Sequence, residues 1–356
     1  MRFHLNAARR SATGTAAAPA RAFHRGLDGY AETALRDAPQ LARELGVRRV
    51  WLKDETKRLG LPAFKVLGAA WAAHRALEAV EGDATLITAT DGNHGRAIAH
   101  VARLLGVAAH VLVPAGTAAA RIAAIRAEGA HVEVVAGSYD EAVACAAALA
   151  GEVSPAGGAQ ASPARGRGTR VLVQDTAWPG YAEIPEWIVQ GYDTLFHEVE
   201  FQVAGVGGAV PDVVVVPVGV GSLMSAALRH ADARETGHTS VVSVETDSAP
   251  CVLASLKAGR NLALPTSATA VEALNAGTIS SIAWPAIRDG VDAAVMVSDE
   301  MAARAQARLH EFGVPAGICG GASLAGIAHL LGGGDPGAPW SVDSSSTVVI
   351  VSTDGS

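Results

Sequence analysis

The chain has 356 residues, enough for two domains at roughly 150 residues each. With 49% hydrophobic and 18% charged residues it is not a disordered protein, and no apolar run approaches the ~18 residues of a membrane span. A net charge of −7 without a basic stripe argues against nucleic acid and leaves small molecules as partners. Cys145, Cys251 and Cys319 stand far apart. They form no CxxC pair and no cysteine zinc spacing, no metal site is read, and a reducing cytoplasm is the expected location.

Residues 1–22 read as a flexible basic tail, rich in arginine and free of acids. From residue 85 a regular alternation begins. Thr85–Ala89 reads as a strand, Asn93–Leu105 as a helix closed by Gly106, His110–Val113 as a strand, Thr117–Glu128 as a helix, Val132–Val135 as a strand and Tyr139–Ala150 as a helix. Short apolar strands alternating with helices predict parallel βαβ units covered on both faces. Residues 151–170, rich in Gly, Pro and Ala, interrupt this as a surface insertion. Val171–Gln174, Asp212–Val216, Val241–Glu245 and Thr347–Ser352 read as further strands, with a loop at 332–346 before the last. The expectation is an α/β protein with two mainly parallel sheets and a ligand between them. Residues 23–70 and 172–356 form the larger domain and residues 71–171 the smaller.

Four stretches carry chemistry. Lys53–Asp54–Glu55 precedes Leu61–Pro62–Ala63–Phe64–Lys65, where Lys65 lies among apolar neighbours. Burial lowers a lysine pKa, and a neutral amine forms Schiff bases; a lysine snorkelling from a helix start is the other reading. Thr90–Gly95 (TDGNHG) follows a strand and opens a helix, where Asn93 can donate to a phenolate oxygen; a plain turn capped by Asp91 fits equally. Gly219–Val220–Gly221–Ser222 follows the strongest strand and suits one phosphate on a helix N-terminus. A dinucleotide fingerprint would need glycine where Met224 stands. Gln174–Tyr192 gathers aromatics in a chain only 4% aromatic and sets Asp175 at a strand end, where open α/β sheets bind ligands; filling a core is the other use of those rings. Taken together, a Schiff-base lysine, an asparagine turn and a phosphate-sized glycine loop suit one ligand, pyridoxal 5′-phosphate.

Phe23–Tyr30 (FHRGLDGY), Trp51–Glu55 (WLKDE), Leu61–Ala69 (LPAFKVLGA), Thr90–Ala99 (TDGNHGRAIA) and Gln174–Tyr192 (QDTAWPGYAEIPEWIVQGY) resemble the fold-type II pyridoxal-phosphate enzymes, the group of tryptophan synthase β and threonine dehydratase. Within that group they are most similar to the diaminopropionate ammonia-lyase family. The aspartate in DGNHG, where most relatives carry serine, and the QDTAW segment are the specific signals. The resemblance implies that Lys65 holds the cofactor, Asn93 contacts its 3′ oxygen and Gly219, Val220, Gly221 and Ser222 cradle its phosphate. It implies Ser352, or alternatively Thr353, at the ring nitrogen, and Asp91 and Asp175 in proton transfer. Two acids in a closed site are expected to show raised, coupled pKa values. The implied activity is α,β-elimination of D- or L-2,3-diaminopropionate to pyruvate and ammonia by a lyase, as a homodimer. The alternatives are elimination or β-replacement on serine, threonine or a β-substituted alanine, and a non-catalytic protein keeping the fold. The stretch Gly317–Ala322 (GICGGA) departs from the Glu-Ser-Gly-Ala pattern of relatives, and Val271–Gly277 also matches poorly.

Overall fold

The computed structural model describes residues 3–6, 18–90, 92–152, 168–233, 238–333 and 342–355. Its strands are β1 (Phe3–Leu5), β2 (Leu35–Asp37), β3 (Arg49–Asp54), β4 (Ala84–Ala89), β5 (Ala108–Pro114), β6 (His131–Val135), β7 (Thr169–Leu172), β8 (Val213–Pro217), β9 (Ser240–Thr246), β10 (Ala293–Val297) and β11 (Thr347–Ser352). Its α-helices are α1 (Ala18–Arg25), α2 (Pro39–Leu45), α3 (Val66–Leu77), α4 (Asn93–Leu105), α5 (Ala119–Ala127), α6 (Tyr139–Ala150), α7 (Glu183–Gly205), α8 (Ser222–Asp232), α9 (Cys251–Ala258), α10 (Trp284–Gly290), α11 (Asp299–Glu311) and α12 (Ile318–Gly332).

The chain divides into two units. One takes Arg25–Phe64 and Asp193–Ser356 with the chain start; the other takes Lys65–Tyr192 with Pro19–His24. The sequence reading drew these boundaries at 70/71 and 171/172. The first unit holds a seven-stranded sheet in the order β1-β10-β9-β8-β11-β3-β2, the second a four-stranded sheet in the order β6-β5-β4-β7. All pairs are parallel except the edges, where β1 runs antiparallel to β10 and β2 to β3.

These elements follow from their residues. Every side chain of β8 (VVVVP) and β11 (TVVIVS) is buried, as central parallel strands covered on both faces require. Val213, Val215, Val242, Val244, Val348 and Ile350 share one core with Ile327 and Leu324 of α12. In the second unit Ile87, Leu112 and Leu172 pack with Val143 and Ala146 of α6. A capping box starts α6: the Ser138 hydroxyl accepts from the Glu141 N–H, and the Glu141 carboxylate accepts from the Ser138 N–H.

Part of the stretch expected as a tail, residues 1–22, is ordered into elements. Phe3–Leu5 pairs with β10, and the Asn6 side chain donates to the carbonyls of Arg288 and Val291 at 2.9 Å. The net charge of the segment hid a short apolar run able to complete a sheet edge. Residues 1–2 and 7–17 lie outside the described residues, as do 153–167 of the expected insertion and 334–341 of the expected second loop. Among the described residues no helix is long and apolar enough to cross a membrane.

Candidate active site

In the second unit, Lys65 is the N-cap residue of α3. Its sequence neighbours Ala63, Phe64, Val66 and Leu67 are buried as expected, but Lys65 itself keeps about a quarter of its side chain exposed, at 25%. Its Nζ donates to Asp175 Oδ2 at 2.9 Å. An apolar setting therefore does not describe this amine, which meets a carboxylate brought from 110 residues away.

The helix carrying Lys65 is set by close packing. A Cβ on Gly68 would come within 2.6 Å of the Tyr192 ring, and a Cβ on Gly191 within 2.7 Å of the Gly68 Cα. Only glycine lets α3 and α7 approach this closely here.

Asp175 follows β7, whose pairing runs on through Val173 N–H to Ile87 O at 2.7 Å. Burial by itself would raise its carboxyl, but the Lys65 ammonium beside it outweighs this and holds it well below the usual carboxylate range. The expectation of a raised pKa is thus corrected for Asp175: the expected partner was a second acid, and the observed partner is a cation. Asp91 lies outside the described residues.

The segment after Asp175 packs into the core of its unit. Trp178 and Tyr181 stack with ring centroids 4.3 Å apart, and both belong to the core of this unit. The Tyr181 hydroxyl donates to Leu172 O and accepts from Gln174 N–H, while Gln174 Oε1 accepts from Ala89 N–H and the Thr88 hydroxyl. These bonds tie the chain on either side of Asp175 to the ends of β4 and β7. Of the two uses weighed for the aromatics, core filling is the one seen for Trp178 and Tyr181.

Asn93 is the first residue of α4 and half-buried. His94 beside it is a functional candidate that the sequence reading passed over. It is buried, its Nε2 meets Val173 O at 2.9 Å, and its Nδ1 lies 3.9 Å from Asp175 Oδ2. Burial pushes its pKa down, so the imidazole is neutral near pH 7 despite the nearby carboxylate. The signal was present in DGNHG, where the histidine directly follows the asparagine.

In the first unit, Gly219–Ser222 joins β8 to α8. Gly221 is the N-cap of α8 with φ +96°, and its Cβ would meet Ile287 Cδ1 at 2.8 Å. A Cβ on Gly219 would lie 3.0 Å from Ala273 O. The loop excludes side chains at both glycines, leaving backbone N–H groups at a helix N-terminus, a cradle for one phosphate. At the end of β11, Ser352 is fully buried, and its Oγ has no hydrogen-bond partner among the described residues. A buried hydroxyl in that state suits an acceptor such as a ring nitrogen. The second candidate, Thr353, is also buried, and its carbonyl accepts from Phe64 N–H at 3.3 Å.

The departure at Gly317–Ala322 has a local explanation. Gly317 caps α12, its N–H donates to Asp354 O at 2.7 Å, and a Cβ there would strike the Asp354 carboxylate. The Asp354 carboxyl, pushed up by burial, is in turn held by the Cys319 and Gly320 N–H groups. An acid from beyond β11 thus faces the start of α12.

The Lys53–Asp54–Glu55 stretch, by contrast, is structural. Lys53 Nζ donates to Glu198 Oε2 at 2.7 Å, and Arg58 bridges Glu55 and Glu198 at 2.6 Å each, with all four side chains fully buried.

One unit offers a lysine amine beside a carboxylate, the other a one-phosphate cradle and a buried hydroxyl without a partner among the described residues; on mainly parallel sheets these are features of the pyridoxal-phosphate enzymes. The sequence agrees: the chain belongs to the family of pyridoxal-phosphate-dependent enzymes, which it matches over residues 27–354. It is 30% identical over 308 residues to the diaminopropionate ammonia-lyase of Salmonella typhimurium, covering 80% of this chain and 72% of that protein. The E. coli K12 diaminopropionate ammonia-lyase is 31% identical over the same shares. The crystal structure of the E. coli enzyme in complex with D-serine superposes with a TM-score of 0.85 at 29% identity, covering 99% of this chain and 93% of that one. The E. coli enzyme in complex with an aminoacrylate-PLP azomethine reaction intermediate gives a TM-score of 0.82.

Proposed function

We propose that this chain is a pyridoxal-phosphate-dependent ammonia-lyase acting on 2,3-diaminopropionate, yielding pyruvate and ammonia. Pyridoxal phosphate, when bound, supplies an electron sink that acidifies the Cα–H of an amino acid joined to its aldehyde. Lys65 Nζ would hold that aldehyde, Asn93 the ring oxygen, Gly219–Ser222 the phosphate and Ser352 the ring nitrogen. The Ser352 hydroxyl, being neutral, would give that nitrogen a hydrogen bond and no charge, which would keep the sink modest and suit elimination.

The Lys65 amine would take the Cα proton on one face. Asp175, ionised near neutral pH, takes a proton on the other or pairs with the second ammonium of a diamine. Asp91 is the second acid of this reading and serves the opposite substrate enantiomer or the departing ammonia. The observation that carries the proposal is the 2.9 Å pair of Lys65 and Asp175. The names of the relatives support the substrate. A homodimer and a cytoplasmic location belong to the same reading; three unbridged cysteines support a reducing compartment.

The test is a panel of D- and L-diaminopropionate, serine, threonine and cysteine assayed for keto acid and ammonia. Both products from diaminopropionate, faster than from the others, are expected. Turnover of serine or threonine with none of diaminopropionate would move the assignment to another eliminase of the same fold.

A further inference from the structure

Away from the residues discussed so far, the first unit contains a compact group of imidazoles and carboxylates. On α7, Asp193, His197 and Glu200 are spaced four and three apart, which sets them on one helical face. His230 meets them from the last turn of α8. His230 Nδ1 lies 2.9 Å from Asp193 Oδ1, and His197 Nε2 lies 3.1 Å from Asp193 Oδ2. The second ring nitrogen of His230, Nε2, lies 3.1 Å from Glu200 Oε2.

We propose that Asp193, His197 and His230 bind a divalent transition-metal ion of the zinc type, with Glu200 positioning His230. One ligand atom from each of the three lies within 4.8 Å of the others. Two imidazoles and one carboxylate form a three-ligand zinc set that leaves a fourth position for water. The nitrogen donors favour a transition metal over magnesium or calcium. Tetrahedral ligation at about 2.0–2.2 Å separates donor atoms by about 3.3 Å, and the three groups already offer atoms within 4.8 Å of one another.

Glu200 supplies the element that distinguishes a ligating histidine from an ordinary ion pair. A metal-bound imidazole nearly always gives its other N–H to a carboxylate or carbonyl, which sets its tautomer and aims the ligating nitrogen. Glu200 on Nε2 does this for Nδ1 of His230. The two carboxylates, Asp193 and Glu200, also match the charge of a divalent cation. Asp193 and His230 are each 5% exposed, whereas His197 keeps 24% and Glu200 41% of the side chain exposed, so an ion reaches the group from the His197 side. Bound there, the metal staples α7 to the end of α8 opposite the glycine loop. Its role is structural, and the proposal stands apart from the substrate assignment.

A second cluster, His110, His131 and Glu133 on neighbouring strands of the other unit, is more exposed and provides the control. The full-length holoenzyme, stripped with chelator and dialysed, is titrated with Co2+ and then Zn2+. The visible absorption of tetrahedral Co2+ should saturate at one equivalent, disappear on adding Zn2+, and accompany a rise in melting temperature. His197→Ala, at the partly exposed position, should lose both signals while keeping its cofactor absorbance. Asp193→Asn, which keeps the shape and removes the charge, should do the same. Glu200→Gln should weaken binding about 10- to 100-fold. The double variant His110→Ala/His131→Ala should keep both signals. Absence of the band and of the melting shift in the unmodified protein at excess Co2+, or an unchanged band in His197→Ala, would overturn the assignment and leave the group a metal-free ion-pair network.

Discussion

Two lysines near each other in sequence meet carboxylates in opposite ways. Lys53 is fully buried, and its Nζ donates to Glu198, to Thr33 O at 2.9 Å and to Gln202 at 3.1 Å. Burial pushes its pKa down and Glu198 resists. Lys65, twelve residues on, is a quarter exposed and its amine faces Asp175. A lysine whose three protons are all placed inside a core is committed to structure, because moving it would take from Glu198 one of its two buried cations. A lysine at a helix start with an exposed flank can leave its carboxylate and return. Sequence neighbourhood does not separate these cases; the partners and the solvent do.

The largest effect is expected at the second lysine. Lys65→Ala should lower ammonia release by about 10³-fold or more, since losing a general base alone costs 10²–10⁴. It should also abolish borohydride fixation of the cofactor while leaving the melting temperature within a few degrees. A variant that still fixes the cofactor would erase the distinction drawn between the two lysines.

At the other lysine the loss should be of stability. Glu198→Gln leaves Lys53 and Arg58 buried without their shared anion and should cost about 3–5 kcal/mol in urea unfolding, as broken buried pairs do. A change under about 1 kcal/mol would show that the network is not what holds this part of the fold.

Asp175→Asn should reduce turnover of diaminopropionate by about 10²-fold, the low end for removing a proton-transfer group. The bound cofactor should remain, with a changed pH–rate profile. If turnover and profile stay put, the carboxylate beside Lys65 has no part in the proton steps.

The smallest effect is in the acid limb of stability. Glu198 is held down at about 2 against an ordinary 4.5; burial opposes this shift, and Arg58 and Lys53 outweigh it. A carboxylate with a depressed folded pKa contributes stability that is complete above the unfolded value and lost as pH falls through the folded one. The urea midpoint should therefore fall between about pH 4.5 and 2 in the unmodified protein, and more shallowly in Glu198→Gln. Equal slopes would remove Glu198 from the account.

Much of the second unit was legible before folding. The helices Asn93–Leu105 and Tyr139–Ala150 and the strand Thr347–Ser352 of the first unit have the bounds their periodicity predicts. Gly106 ends α4 in the left-handed conformation, and Ser138 with Glu141 opens α6, both local signals. The three-residue strands β1 and β2 carry too few residues for any period. β10 (AAVMV) has no alternation to separate a buried strand from a helical segment. Part of the candidate site was readable as well: the glycine loop, Asn93 and Lys65 sit at element starts where their residue types have specific uses. His94 was hidden because a histidine at a helix start has many uses, and only its 3.9 Å approach to Asp175 selects one.

Composition, period-two and period-3.6 patterning and turn residues determined the class of fold and the order of most elements, because they are local and each acts on a few residues. Which charges meet was decided only in three dimensions. Asp175 on Lys65, Glu198 on Lys53 and Asp193 on two histidines are pairs whose energies depend on burial and on partners far apart in the chain. Coulomb attraction and desolvation act through space, so a linear reading finds the charged groups and folding assigns their partners.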